Sequence, residues 1–285
     1  EKTENNMTEE ISVAVTVPDN LHAAETLTAE QQNADIKLSW TAPDLNVTPQ
    51  PVTETFETYD AFALNSAGDW SFIDADGQFT YGFQSSDFPH TGEKMAFLVF
   101  DTNTLNIDTP PSGSKFMAAF AVTSGSNDDW LISPQLSGEA QTITFQAKSF
   151  SDAYGYDTFE VWYSATDNNK ASFQKLAEET QMATDWKLYT YSLPEGAQHF
   201  AIRYTAASTF LFMVDDITYT PTPKPLNLLG YNIYCDGEPL AAVSATETTF
   251  VSANSAAQEH QYVVTALYKQ GESAASTKVV AGGGQ

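Results

Sequence analysis

The chain has a single cysteine, Cys235, so it can form neither an internal disulfide nor a cysteine metal cluster. That cysteine ends the apolar run YNIYC with no histidine near it in sequence, a setting that predicts a buried structural thiol rather than a nucleophile. Basic residues are scarce as well: 12 Lys and Arg stand against 37 Asp and Glu, for a formal net charge of -25. So acidic a surface repels phosphate backbones and anionic lipid, which argues against nucleic acid and membrane-surface partners. No stretch reaches the ~20 apolar residues of a membrane span. No basic start followed by an apolar run marks a signal peptide, and the expectation is a mature or trimmed exported chain with no membrane insertion of its own. Also missing are H-E-x-x-H, G-x-S-x-G, a Gly-rich phosphate loop and a dinucleotide fingerprint. The four histidines, His22, His90, His199 and His260, are scattered. Among 37 acids some pair always falls at the spacing glycoside hydrolysis needs, so their abundance is no evidence for it. The expectation is a chain with no catalytic residues.

What is present is material for packed cores. Hydrophobic residues make up 42% of the 285 positions, with 18 Phe and 13 Tyr, and the length suits about two domains. The segments ISVAVTV, ADIKLSW, ITFQAKSF, TFEVWYSA, WKLYTYSL, HFAIRYTA, FLFMVDDITY, YNIYC and YVVTALY are short, rich in β-branched and aromatic residues, and alternate with period two. They predict an all-β protein built of sandwiches. One short stretch, SFQKLAEET, reads as a possible helix. Residues 1–9 read as a mobile polar leader, and the strand that follows, up to residue 17, reads either as the end of a preceding module or as an extra strand.

Two proline-rich stretches, PDLNVTPQPV and PTPKP, interrupt the pattern and should run as connections, because proline fixes φ and removes a backbone donor. The segments outside them, residues 18–48 and 224–285, resemble the two halves of one fibronectin type III domain, an immunoglobulin-like β-sandwich. VPDNLHAAETLTAEQQNADIKLSWTAPD is similar to its strands A and B, with Trp40 as the core tryptophan. LLGYNIYCDGEPLAAVSATETTFVSANSAAQEHQYVVTALYKQGESAAS is similar to its strands C to G, and Tyr262 sits where the family places a tyrosine corner that ties a loop back to the sandwich. Each half alone would expose an apolar face and an unpaired edge, so the two should complete one another.

Residues 53–220 carry ETFET, DWSFIDADGQ, NDDWLISPQLSG, TFEVWYSAT, DWKLYTYSLPEG and FLFMVDDITYT in that order. In these motifs the segment resembles the cleaved-adhesin modules of gingipain haemagglutinins and their choice-of-anchor J and MAM-like relatives. It departs from the pattern at ALNSAGDW, without the usual proline, and at Phe79, where a second polar ligand would stand. The resemblance implies a jelly-roll β-sandwich inserted into the fibronectin type III-like domain, with structural calcium. The residues themselves allow this. Asp74, Asp76 and Gly77 form a D-x-D-G turn that sets two carboxylates on one side of a tight backbone, although such a turn also serves when merely solvated. Asp215 and Asp216 interrupt an apolar strand, and alternation turns one of them inward, where it needs a cation or backbone amides. The expected calcium ligands are Glu57 with Asp215 or Asp216, and Asp74, Asp76 and Asp129 as further candidates.

For binding, Tyr154, Tyr156 and Trp162 stand near one another around a glycine-containing turn, while Trp70, Tyr81 and Phe83 flank the DADG turn. Aromatic faces stack on sugar rings and on protein hot spots alike. The expected function is adhesion by a secreted or cell-surface protein that recognises a host or matrix protein or a glycan. A carbohydrate-binding accessory segment of a larger secreted hydrolase, or a spacer in a surface array, remain alternatives.

Overall fold

The computed structural model describes residues 21–283, so the readings made for residues 1–17 lie outside the described residues. The chain forms two compact units, one from residues up to Thr48 together with those from Lys224 onward, the other from Pro49–Pro223. Among the described residues the only helical piece is a 3-10 turn at Lys170–Ser172, and the rest of the regular structure is strand.

In the discontinuous unit, Asp35–Thr41 is the centre of a three-stranded sheet, flanked by Glu25–Gln32 and by Thr249–Ser252 from the far end of the chain. Its alternation puts Ile36, Leu38 and Trp40 inward. In the second sheet Leu228–Cys235 lies between Glu238–Ser244 and His260–Tyr268, and the last of these also pairs with Gly271–Glu272 and Val279–Ala281. Trp40, Tyr231, Ile233, Tyr262 and Val264 meet in one core, where the Trp40 and Tyr231 rings pack edge to face at 5.3 Å.

Two expectations need correction in this unit. The hydroxyl of Tyr262 has no hydrogen-bonding partner, because the side chain is buried in the apolar core with Trp40, Tyr231 and Val264. The tie to a loop is made instead by Tyr268 at the end of the same strand, whose hydroxyl donates to the His22 carbonyl at 2.7 Å. Cys235 is only part-buried, since the strand ends there and the core thins out at the turn.

The Pro49–Pro223 unit is a sandwich of two sheets. The first orders Gln174–Glu179, Phe159–Ser164, His199–Tyr204, Asp129–Ile132, Trp70–Asp74 and Ser66–Ala67. The second orders Lys187–Leu193, Gln141–Ser149, Leu211–Tyr219, Lys115–Phe120 and Phe97–Asp101, with Val52–Glu54 added beside the far end of Leu211–Tyr219. The opening and closing strands of the unit therefore lie side by side, with Thr53 opposite Thr218. SFQKLAEET, read above as a possible helix, contributes the edge strand Gln174–Glu179, because pairing with Phe159–Ser164 overrides a weak local propensity.

The inner faces bury Phe97, Val99, Met117, Phe145, Phe159, Phe200 and Phe212. The second sheet is apolar on its outer face too: Leu98, Phe100, Phe116, Phe120, Leu211 and Met213 form a separate core with Phe62 and Phe88. Fully burying each such side chain contributes about 1.5–3 kcal/mol.

Because each unit owns a separate core, damage to one should stay local. Trp40→Ala is expected to destabilise the discontinuous unit by about 3–5 kcal/mol. Hydrogen exchange should then show Ile233 and Val264 amides losing protection while Met117 and Phe212 amides keep theirs. Equal loss in both sets would contradict independent cores.

Candidate binding site

The outer core of the second sheet is closed by loops, and these loops build a cleft of about 650 Å³. One wall comes from Tyr81, Phe83 and Gln84 after Trp70–Asp74, another from Phe150, Ser151 and Tyr154 after Gln141–Ser149, and a third from Ser208, Thr209 and Phe210 before Leu211–Tyr219. The floor is stiff. Phe83 stands edge-on to Phe210 at 5.1 Å, to Phe150 at 5.6 Å and to Phe120 at 5.9 Å. At the rim Tyr154 is 69% exposed and Tyr81 42%.

Below the floor, a buried polar network fixes the loop ends. The Tyr204 hydroxyl donates to Asp157 Oδ1 at 2.6 Å and lies 2.8 Å from Thr209 Oγ1, and Ser149 Oγ donates to Asp157 Oδ2. Asp157 is fully buried, so these hydroxyls replace the water it gives up. Burial and then the Asp157 charge hold the Tyr204 phenol well above its ordinary pKa.

Of the three ligand-binding candidates, the structure puts only Tyr154 in this cleft. Tyr156 is exposed on the same loop without lining it. Trp162 belongs to Phe159–Ser164, where Phe159 and Val161 face the core and Trp162 the outer surface. There it packs on Trp130 at 5.3 Å and donates from Nε1 to Glu160 at 2.8 Å. The Arg203 guanidinium covers both indoles at 5.2 and 5.7 Å, held by Asp128 at 2.7 Å and Glu160 at 2.9 Å. Burial alone would raise the Asp128 carboxyl, but hydrogen bonds from Arg203 and Trp130 bring it below its usual value. That surface is a closed ion-pair network rather than an open platform. Phe150, Phe210 and Thr209 of the cleft carried no signal in sequence.

The acids fall into two groups. Asp74, Asp76 and Asp129 place carboxylate oxygens within 4.8 Å of one another. The turn shapes two of them: Asp74 accepts from Gly77 N at 2.6 Å, Asp76 from Gln78 N at 2.9 Å and from Asp128 N at 2.7 Å. Gly77 has φ 64. Asp129 comes from the neighbouring strand, directly opposite Asp74, and is fully buried. Its Oδ2 accepts from Asn127 at 2.6 Å, while its Oδ1 has no partner. Burial, opposed by the Asn127 bond and reinforced by the charges of Asp76 and Asp74, pushes the Asp129 carboxyl well above the usual range.

Glu57, Asp215 and Asp216 do not form such a trio. Glu57 is taken up by the amides of Ser114 at 2.9 Å and Lys115 at 2.6 Å, and Asp216 accepts from Ser112 Oγ at 2.6 Å. Asp215 is the one turned inward: it is fully buried, its Oδ1 takes the Asp216 amide at 2.8 Å, and its Oδ2 has no partner. Burial pushes this carboxyl up to about 8.

No protein-family model matches the chain. It is similar along most of its length to adhesin-bearing proteins of Porphyromonas gingivalis. Hemagglutinin A of that organism is 27% identical over 94% of this chain, and Lys-gingipain 26% identical over 92%. The chain spans 10% and 15% of those two proteins. Among solved structures, the K2 cleaved adhesin domain of Lys-gingipain aligns with 60% of this chain and 97% of its own at 23% identity, with a TM-score of 0.49.

The Asp215 carboxyl carries a pH signature. The folded chain holds its proton up to about pH 8, whereas an unfolded aspartate releases it near 4, so between those values folding retains a proton. In chelator, wild-type stability should therefore fall relative to Asp215→Asn as pH rises through this window, and the gap should level off above it. A gap independent of pH, read from denaturant unfolding, would refute the assignment.

Proposed function

We propose that this chain is a non-catalytic binding segment of an exported, surface-associated bacterial protein, and that its Pro49–Pro223 unit takes an uncharged glycan in the Tyr81–Tyr154 cleft. The observation that carries this reading is the pair of exposed tyrosine faces over a floor of packed phenylalanine rings. Large aromatic faces left in water at the mouth of a stiff concavity suit a ligand with flat apolar faces of its own, as a pyranose ring has. The hydroxyls of Ser151 and Ser208 and the amide of Gln84 supply orienting hydrogen bonds around it. A net charge of -25 disfavours sialylated or sulfated ligands. Similarity to proteins named for haemagglutination supports a role in adhesion.

The discontinuous unit we read as a fibronectin type III-like sandwich, supported by the strands on both sides of the inserted unit that close over Trp40 and Tyr262.

Calcium is proposed at Asp74, Asp76 and Asp129. The donor set is all oxygen, and the orphaned, buried Oδ1 of Asp129 is the group that a cation would satisfy. Glu57, Asp215 and Asp216 are read as a second acidic group, satisfied in part by amides and a hydroxyl.

Two tests follow from this reading. On an array of neutral and sialylated glycans the chain should bind neutral members, and Tyr154→Ala or Tyr81→Ala should weaken binding at least about tenfold, equivalent to 1.4 kcal/mol. Binding confined to sialylated glycans or to a panel of matrix proteins would overturn the uncharged-glycan reading. Separately, calcium at 100 times its dissociation constant should stabilise the fold by about 2.7 kcal/mol. The rise in melting temperature should be larger at alkaline than at acidic pH, since Asp129 must release its proton to bind, and should vanish in Asp129→Asn. An unchanged melting curve after chelation would rule out the site.

A further inference from the structure

The discontinuous unit holds a second cluster of ligating groups, of different chemistry. Cys235 closes its strand, Asp236 and Gly237 make the turn into Glu238–Ser244, and His260 opens the neighbouring strand. Asp236 and Gly237 both have positive φ, 52 and 89, the geometry of a tight two-residue hairpin. The turn swings the Asp236 carboxylate back over the adjacent strand. There Oδ1 accepts from Gln261 N at 2.9 Å and Oδ2 lies 2.7 Å from His260 Nδ1. Cys235 Sγ is 3.8 Å from the same Oδ2. A thiol sulfur, a carboxylate oxygen and an imidazole nitrogen thus all lie within 4.8 Å of one another.

We propose that Cys235, Asp236 and His260 bind a transition-metal ion of the zinc class, with solvent in a fourth position.

Ligand type and spacing both point this way. Zinc takes sulfur, nitrogen and oxygen at about 2.0–2.3 Å, so ligands around a tetrahedral ion stand about 3.3–3.8 Å apart. The separations of 2.7 and 3.8 Å bracket that range. The backbones are already fixed: Cys235 pairs with Tyr262 in the ladder, and Asp236 N donates to the Gln261 carbonyl at 2.8 Å. A mixed S, N, O set excludes a calcium-type site, which demands oxygen throughout. The groups are reachable, with the His260 side chain 26% and the Asp236 side chain 51% exposed. On metal binding the thiol proton leaves to solvent and the thiolate becomes the ligand.

Cobalt(II) is the probe, because thiolate coordination gives it a sulfur-to-metal charge-transfer absorption that oxygen-only sites lack. Titrating the full chain should produce this band with tetrahedral visible bands, saturating at one ion per chain and bleached by zinc. With one cysteine in the sequence, the band can come only from Cys235, and Cys235→Ser should abolish it. His260→Ala and Asp236→Ala, with folding checked by circular dichroism, should each weaken cobalt binding by at least the roughly tenfold loss that removal of a supporting contact causes. The proposal is overturned if the thiolate band never appears, if it keeps full affinity in both of those variants, or if it saturates at one ion per two chains.

Discussion

A sheet that is apolar on both faces sets the architecture of the Pro49–Pro223 unit. Phe97–Asp101 and Lys115–Phe120 are buried on either side: Phe97, Val99 and Met117 face the sandwich interior, while Leu98, Phe100, Phe116 and Phe120 face outward. An antiparallel sheet ordinarily turns one face to water. Here the outer face has to be covered, and the chain covers it with loop rather than with another sheet. Phe88 stacks on Phe120 at 4.9 Å and Phe62 packs on Phe100 at 5.4 Å, so the covering loops are held by their aromatic side chains. The Tyr81–Tyr154 cleft is the margin of that cover, and its aromatic floor follows from a structural requirement rather than from a separate device.

The buried acids put strain of a different kind on the same unit. Asp157 is fully satisfied by hydroxyls, and a satisfied polar group in a low-dielectric interior rigidifies what it touches. Asp129 and Asp215 each keep one oxygen without a partner. An unmet buried polar group costs about 1–3 kcal/mol, which the surrounding apolar contacts have to offset. The contrast separates an acid that braces the fold from acids whose presence the fold alone does not explain.

The reading of two units rested on proline clusters and unmatched half-sandwiches in the sequence: Trp40 lacked its partner strands until Tyr231 and Tyr262 appeared on the far side of the second cluster. The clean period-two strands were readable for the same reason, each having one dry face. FLVF and KFMAAF were not, because burial on both faces erases the alternation that would announce a strand. The same limit hid part of the cleft. Phe150 and Phe210 look like ordinary core residues in sequence, and Tyr154 and Trp162 look like neighbours, although one stands on a loop and the other on the outer face of a strand. Cys235 and His260 are 25 positions apart, and only antiparallel pairing with Tyr262 brings them together.

The pairing of Val52–Glu54 with Leu211–Tyr219 bears on how the chain reaches its fold. Strand Asp35–Thr41 is made early but must wait for Thr249–Ser252, leaving an unpaired edge during synthesis. Closing a loop of about 190 residues from Thr41 to Leu228 is entropically expensive. Once the inner unit has folded, Val52 and Tyr219 are in register, and the effective loop shrinks to roughly 20 connecting residues, lowering the closure penalty by about 2 kcal/mol. Folding the inner unit first is therefore the entropically cheaper order for the outer strands.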